Sequence, residues 1–303
     1  MSGSRPQNNT TLYIVVAAVV LIWGTGYTLM GYTVGKGFPP SWIPAARTIL
    51  PAIAITLYVY MRGLSLPKLS DKRWLWYGLM GFLGMTAPFY LQAKGQVHVE
   101  SGLASILING GMPLFTIILA HFFVKSEPLS WRKSIGFIVG FIGVVFLFLP
   151  ENLSWDLVNN WGAQSLILLV AMSYAFAAIV AKRAPETPAS IGAAIMLITA
   201  SLTAIVLAAG TGIPQGSFPT GVIVALFALA IFYTGLSDIL YLKTIELSGP
   251  SMIAKVNYIV PVFSLIFGMI FLNEAFSWRS LAAMAIIIVG LLIARADEPT
   301  NDA

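Results

Sequence analysis

Polar side chains recur at helical spacing within one of the apolar stretches of this sequence. Tyr233, Ser237 and Tyr241 follow one another at four-residue steps, and Thr234 and Asp238 repeat that spacing beside them. Residues four apart share one face of an α-helix. Such groups are costly to bury unless something binds them, so this face predicts a cavity for a polar solute. Hydrogen bonds to a neighbouring helix are the alternative.

The next apolar stretch also contains a charged side chain. Lys255 precedes Asn257 and Tyr258 there. Together with Asp238 it offers both signs of charge, which an amino acid requires for its carboxylate and its ammonium group. The same two side chains could instead pair with each other, or Lys255 could extend its flexible side chain to a membrane surface.

Two asparagines each precede a proline by four residues. They are Asn109, before Pro113, and Asn257, before Pro261. A proline inside a helix leaves the carbonyl four residues earlier without its hydrogen bond, so these points predict either hinges that gate a pathway or static kinks. The candidate gating residues are Gly110, Gly111, Pro113 and Pro261.

Aromatic residues far from the ends of the apolar stretches could line a pocket for a flat or bulky solute. The tryptophans near the ends are typical of interfacial anchors. The complete set of predicted substrate-binding residues is Trp23, Tyr27, Phe89, Tyr90, Asn109, Met112, Tyr174, Tyr233, Asp238, Tyr241, Lys255, Asn257 and Tyr258. Arg47 is expected to extend outward from the start of its stretch, or to form a structural ion pair.

The elements that position these residues are apolar and long. Of the 303 residues, 58% are hydrophobic and 10% are charged, with a mean hydropathy of +0.85. A soluble domain carries about 25% charged residues. Ten apolar stretches predict an all-α membrane protein with ten transmembrane helices. Their limits are 12–34, 42–61, 74–93, 101–123, 134–150, 162–181, 190–209, 220–242, 249–272 and 278–294.

The basic residues predict the orientation of these spans. Of the 17 Lys and Arg residues, all but five fall on the side that holds both termini. Three lie on the other side, and Arg47 and Lys255 lie inside spans. Because positively charged loops remain in the cytoplasm, both termini are predicted to be cytoplasmic. This asymmetry also accounts for the net charge of +5 without a nucleic-acid partner.

The sequence lacks the residues that several functional classes of protein need. The sequence has no cysteine, no metal-ligand spacing and no phosphate-binding glycine-rich motif. It also lacks a group of acids, histidines and nucleophiles at one face. We therefore expect no metal, no cofactor, no catalytic residues and no enzymatic activity. A channel remains an alternative, although its rings of charge would come from an oligomer; the oligomeric state stays open.

The sequence repeats itself at an offset of 147 or 148 residues. The Asn-x-x-x-Pro-x-Phe pattern of Asn109 recurs at Asn257, and Glu-x-x-Ser-Trp-Arg occurs at 127–132 and 274–279. Five spans per half make the second half inverted, an arrangement typical of secondary transporters. The predicted divisions are a cytoplasmic tail 1–11, five-helix repeats 12–150 and 151–296, and a cytoplasmic tail 297–303.

These motifs, with the early Trp23-Gly24, resemble the EamA-type branch of the drug/metabolite transporter superfamily over essentially the whole chain. Within it, the pattern is similar to bacterial exporters of amino acids, including aromatic ones. The resemblance implies a secondary exporter in the bacterial plasma membrane, working by alternating access on neutral amino acids. Export of another small amphiphilic metabolite or drug is the alternative. Both proton coupling through Asp238 and facilitated diffusion remain open.

Overall fold

The computed structural model describes residues 9–124, 129–148, 157–248 and 250–295. These residues form twelve α-helices, and two π-helical segments join four of them in pairs, so that the helices make ten continuous segments. The first half contains α1 Asn9–Gly35, α2 Ile43–Met61, α3 Lys72–Gly81, α4 Ala87–Gly95, α5 Ser101–Phe123 and α6 Trp131–Phe148. The second half contains α7 Leu157–Ala181, α8 Ala189–Ala209, α9 Thr220–Ala228, α10 Ser237–Ser248, α11 Pro250–Leu272 and α12 Trp278–Arg295. A 3-10 turn, Pro40–Trp42, leads into α2.

Each of the ten predicted spans overlaps one of these segments, and the ends that fall in the described residues agree to within six residues. In the described part of the chain, seven helices are long and apolar enough to cross a membrane, and Trp278–Ala294 is a shorter apolar helix. Large apolar side chains such as Phe122, Phe227 and Ile270 are exposed, as expected where helices contact lipid. The predicted N-terminal tail 1–11 overlaps α1, which begins at Asn9. Residues 1–8, the predicted tail 297–303 and the predicted junction between the halves, 150–151, lie outside the described residues.

Two π-helical segments interrupt the third and eighth helical segments. The first π segment, Phe82–Thr86, joins α3 to α4, and the second π segment, Leu229–Leu236, joins α9 to α10. Their starts are 147 residues apart, so the internal repeat includes them. Wide turns of this kind leave carbonyl groups that need new partners. Ser173 donates to the carbonyl of Leu83 at 2.7 Å, and Thr234 donates to that of Leu229 at 3.0 Å.

Short polar contacts fix the ends of several helices. Ser130 and Ser277, the serines of the two Glu-x-x-Ser-Trp-Arg motifs, accept hydrogen bonds from the backbone N–H groups of Lys133 and Ser280. They therefore cap α6 and α12 in the same way. At α3, Asp71 is the N-cap; its hydrogen bonds from Arg73 lower the pKa of the Asp71 carboxyl to about 2.

The acidic and basic residues of the second motif bind backbone groups of the first half. Glu274 accepts a hydrogen bond from the N–H of Ser101 at 2.8 Å, which caps the start of α5. Arg279 donates to the carbonyl of Phe146 through Nε at 3.0 Å, near the end of α6. The motif therefore joins the halves at helix ends. Glu127, its counterpart in the first half, lies outside the described residues.

The last helices of the halves, α6 and α12, cross at glycines. A Cβ atom on Gly136 would collide with the carbonyl oxygen of Gly290, and one on Gly290 would collide with the backbone of Gly140. Gly136, Gly140 and Gly290 therefore permit the two helices to pack closely. The main apolar core lies beside this crossing, on α1, α5, α6, α7, α11 and α12.

The helices with the internal prolines are continuous. Pro113 lies inside α5 and Pro261 inside α11. Gly110 and Gly111 are filled closely by neighbouring side chains, since added Cβ atoms would lie 2.8 Å from Ile287 and 3.1 Å from Ala171. The gating role of these residues stays a prediction. The irregular helical geometry falls in the two π segments instead.

Candidate functional site

Arg47 is buried between the two halves. Its side chain is 1% exposed, so the expectation that it extends outward from α2 is wrong. The guanidinium points into the protein, where Nε and Nη2 lie 3.4 and 3.3 Å from the hydroxyl oxygen of Thr234 in the second π segment. Arg47 forms no salt bridge with a carboxylate of the described residues.

Aromatic rings surround this guanidinium. Its central carbon lies 3.5 Å from the centre of the Phe89 ring and 4.7 Å from the centre of the Tyr233 ring. Such contacts attract a cation to the electron-rich face of a ring. Gly26 on α1 leaves the room that Tyr233 occupies, since a Cβ atom there would collide with that ring.

A hydrogen-bonded network continues from these rings across α1 to α5. Tyr27 is 4% exposed, and its ring meets that of Tyr233 edge-on at 6.5 Å. The Tyr27 hydroxyl accepts a hydrogen bond from Asn109 at 3.0 Å, and Gln96 donates to the Tyr27 carbonyl at 3.0 Å. We refer to Tyr27, Arg47, Phe89, Tyr233 and Thr234 as the central cluster. It unites α1, α2 and α4 with the second π segment.

Asp238 and Tyr241 follow the central cluster along α10. Asp238 lies four residues after Thr234 and its side chain is exposed. It interacts electrostatically with Arg47 without forming a salt bridge among the described residues. Tyr241 faces α1, where its ring centre lies 6.1 Å from that of Trp23. The predicted polar face of this helix therefore lies against α1 and α2.

The predicted residues of α11 lie apart from this acidic group. Lys255 is exposed and makes no salt bridge within the described residues, so the structure does not join it to Asp238. Asn257 and Tyr258 line a cavity of about 10 Å³ together with Asn109 on α5. That cavity has room for roughly one water molecule, and it brings the two repeat-related asparagines to one place.

Of the remaining predicted residues, Tyr174 interacts electrostatically with Arg47 and Tyr233 of the central cluster, whereas Tyr90 and Met112 contact other parts of the protein. Tyr90 lines an apolar groove of about 510 Å³ between α4 and α8, and Lys94 lies 5.6 Å above its ring. Tyr174 is half-buried and packs against the main core. Met112 is half-buried on α5, and its carbonyl accepts a hydrogen bond from Thr116. Tyr90 therefore faces away from its buried neighbour Phe89.

Sequence reasoning missed three buried polar residues of this region. Arg47 was assigned to the surface, and Gln92 and Gln96 were not considered. Gln92 donates to Gln96 at 2.8 Å, and both are buried. Their four-residue spacing in a largely apolar stretch was the available signal, whereas nothing in the local sequence showed which way Arg47 points.

The comparison with protein families identifies the scaffold. Residues 10–149 and 161–296 each match the EamA-like transporter family. The chain belongs to this family. The two matches correspond to the two halves of the internal repeat, and the resemblance to the EamA-type branch is confirmed. The protein is accordingly an all-α, multi-pass membrane transporter with a small-molecule substrate, and its family indicates a transporter rather than an enzyme.

Two bacterial or archaeal transporters are similar to this chain over most of their length. The uncharacterized inner membrane transporter YedA of Escherichia coli is 25% identical over 285 residues, covering 93% of this chain and 90% of YedA. An uncharacterized transporter of Archaeoglobus fulgidus is 28% identical over 296 residues, covering 93% of this chain and 97% of its own length. A solved structure described only as that of a protein has a TM-score of 0.62 at 20% identity, covering 94% of this chain and 98% of its own. It supports the fold alone.

Proposed function

We propose that this transporter exports amino acids with neutral side chains, aromatic ones foremost, from the cytoplasm by alternating access. The observation that carries the proposal is the central cluster, where aromatic rings and a buried cation meet between the halves. A site of that composition fits a solute with an apolar body and a charged head. In inverted-repeat transporters, such sites lie near the midplane between the repeats.

The proposed location is a bacterial inner membrane with both termini in the cytoplasm. The similarity to YedA supports the location. The unequal distribution of Lys and Arg between the two sides supports the orientation, because positively charged loops remain in the cytoplasm. Export rather than import is implied by the resemblance to amino-acid exporters.

Another small amphiphilic metabolite or drug is the second candidate substrate. The same rings and the same cation would bind any flat solute with a charged group. Only groups that recognise both the ammonium and the carboxylate would favour amino acids. Asp238, exposed near Arg47, supports the first candidate because it offers a negative charge for the ammonium group.

The test uses purified protein in liposomes loaded with labelled amino acids and, separately, with unrelated amphiphiles. We expect efflux of phenylalanine or tryptophan that neighbouring amino acids inhibit and that protein-free liposomes lack. Efflux of an amphiphilic drug alone would select the second candidate. Transport of neither class would contradict both.

The energy source is tested at Asp238. We propose that this carboxyl exchanges a proton during transport, because it is the acidic group beside the central cluster. The Asp238→Asn variant should then lose the pH dependence of efflux. An unchanged pH profile would leave facilitated diffusion as the mechanism.

We also propose that α5 and α11 bend at Pro113 and Pro261 during transport. The small cavity shared by Asn109, Asn257 and Pro261 supports this idea, because helix bending requires unfilled space. Replacing each proline by alanine should slow the transport rate without changing substrate affinity. Equal rates in variant and wild type would make both prolines static kinks.

A further inference from the structure

Arg47 uses little of its capacity to form hydrogen bonds. A guanidinium has five N–H donors, yet its two hydrogen bonds are long and both end on one neutral hydroxyl, that of Thr234. Nη1 is buried and has no acceptor among the described residues. Hydrogen bonds at 3.3–3.4 Å lie beyond the usual range for N–H donors, so these donors are available for a stronger acceptor.

The surroundings of Arg47 are better suited to binding an anion than to holding the guanidinium only as a packing group. An unpaired charge in a membrane interior is unfavourable, and paired anions or protein dipoles normally compensate it. The rings of Phe89 and Tyr233 compensate it in part. Asp238 forms no salt bridge with Arg47, so no carboxylate of the described residues pairs with the guanidinium.

The cation has no counterpart in the other half. At the offset of 147 residues, Arg47 corresponds to Ala194 on α8, which is fully buried. This pair of repeat positions therefore holds a single guanidinium, which presents a planar pair of donors that matches the two oxygens of a carboxylate.

We propose that Arg47 is the receptor for the carboxylate of the transported solute. This rests on the proposed function and deepens it, because it defines the substrates as small amphiphilic carboxylates. An aromatic amine without a carboxylate is then a poor ligand. Lys255, the cation that the sequence suggested for this role, is exposed and lies outside the central cluster.

The rival explanation is that Arg47 only holds α2 against the second π segment. The thermal stability of an Arg47 variant distinguishes this explanation from the receptor proposal. If the contacts of Arg47 were structural, Arg47→Met would lower the melting temperature. If Arg47 awaits an anion, a methionine of similar length removes an unpaired buried charge, and the melting temperature stays equal or rises.

The first measurement is ligand-induced stabilisation of the detergent-purified full chain. The probes are L-phenylalanine, 3-phenylpropionate and L-phenylalaninamide, which lacks the carboxylate. We expect the two carboxylates to raise the melting temperature of the wild type and the amide to leave it unchanged. Arg47→Met should abolish the response, and Arg47→Lys should retain part of it because lysine keeps the charge without the planar pair of donors.

The second measurement is efflux of labelled L-phenylalanine from liposomes. We expect Arg47→Met to lower efflux about tenfold or more, since charge-assisted hydrogen bonds are among the strongest polar contacts. The matched control is Lys243→Gln, which removes an exposed cation paired with Glu246 at 2.8 Å. It should transport like the wild type, and 3-phenylpropionate should inhibit wild-type efflux more than the amide does.

The outcomes distinguish this proposal from the proposed function. Stabilisation by 3-phenylpropionate that depends on Arg47, without transport of any amino acid, would keep the receptor and remove the amino-acid assignment. Phenylalanine efflux inhibited equally by the amide, or unaffected in Arg47→Met, would overturn the receptor and keep the transporter. A greater loss in Lys255→Gln than in Arg47→Met, or no response to any carboxylate, would also overturn it.

Discussion

Two threonines at equivalent places in the repeat have different partners. Thr86 ends the first π segment and contacts α8; its hydroxyl donates to the carbonyl of Ala200 at 2.9 Å and lies 2.8 Å from that of Thr203. Thr234 lies 148 positions later, in the second π segment, and contacts α2. There its oxygen accepts from Arg47. The backbone plan is the same, but Thr86 has neutral partners on α8, whereas Thr234 contacts a cation on α2.

The different partners of Thr86 and Thr234 distinguish a contact that stabilises the fold from one that we assign to transport. The partners of Thr86 are a backbone carbonyl and a hydroxyl, and they satisfy one another. Arg47, the partner of Thr234, retains unused donors. In a duplicated protein, contacts that recur at both repeat positions are those that the scaffold requires. A contact without a repeat-related counterpart indicates a role that arose after the duplication.

The largest expected effect comes from replacing each threonine by valine. Thr234→Val removes the hydroxyl that accepts from Arg47, so we expect phenylalanine efflux to fall about tenfold as the guanidinium is reoriented. Thr86→Val should leave efflux within about twofold and lower the free energy of unfolding by about 1 kcal/mol. Efflux and thermal stability of both variants provide the comparison.

Equal losses of efflux in the two valine variants would contradict the separation. So would a loss of efflux in Thr86→Val without a loss of stability, because that result would give the first π segment a role in transport.

A smaller effect is expected at Gly26. An added methyl group there would collide with the ring of Tyr233, so Gly26→Ala should displace this ring from Arg47 and lower efflux severalfold, corresponding to about 1 kcal/mol. Gly35→Ala is the matched control on the same helix, since an added Cβ atom there meets nothing within 4 Å. Equal efflux in the two alanine variants would show that the position of the Tyr233 ring is not important.

The smallest effect is expected at Glu274, whose carboxylate already has a structural partner. Glu274→Gln weakens the hydrogen bond to the N–H of Ser101 but keeps an acceptor, so the free energy of unfolding should fall by about 1 kcal/mol or less. Efflux per folded molecule should not change. A selective loss of transport, measured beside the melting temperature, would place Glu274 with Arg47 among the functional residues.

The sequence predicts where the helices lie but does not predict the π segments that interrupt two of them. Hydropathy located each helical segment, and spacing indicated that Tyr233 and Tyr241 share a face, because both properties depend on local sequence. The π segments follow from packing between helices, which no local pattern reports. Arg47 was misplaced for a related reason. Its position near a helix start favours a surface location, and only contacts with Phe89 and Thr234, distant in sequence, determine that it points inward.

The unequal halves give the pathway a direction that its scaffold lacks. Because the repeat position of Arg47 in the second half is Ala194, a solute bound through its carboxylate has one preferred orientation, and its ring projects toward one compartment throughout the cycle. The two inverted repeats can exchange conformations during transport, but Arg47 stays in the first repeat. An elongated carboxylate blocker should therefore inhibit when added from one side of the membrane and fail from the other.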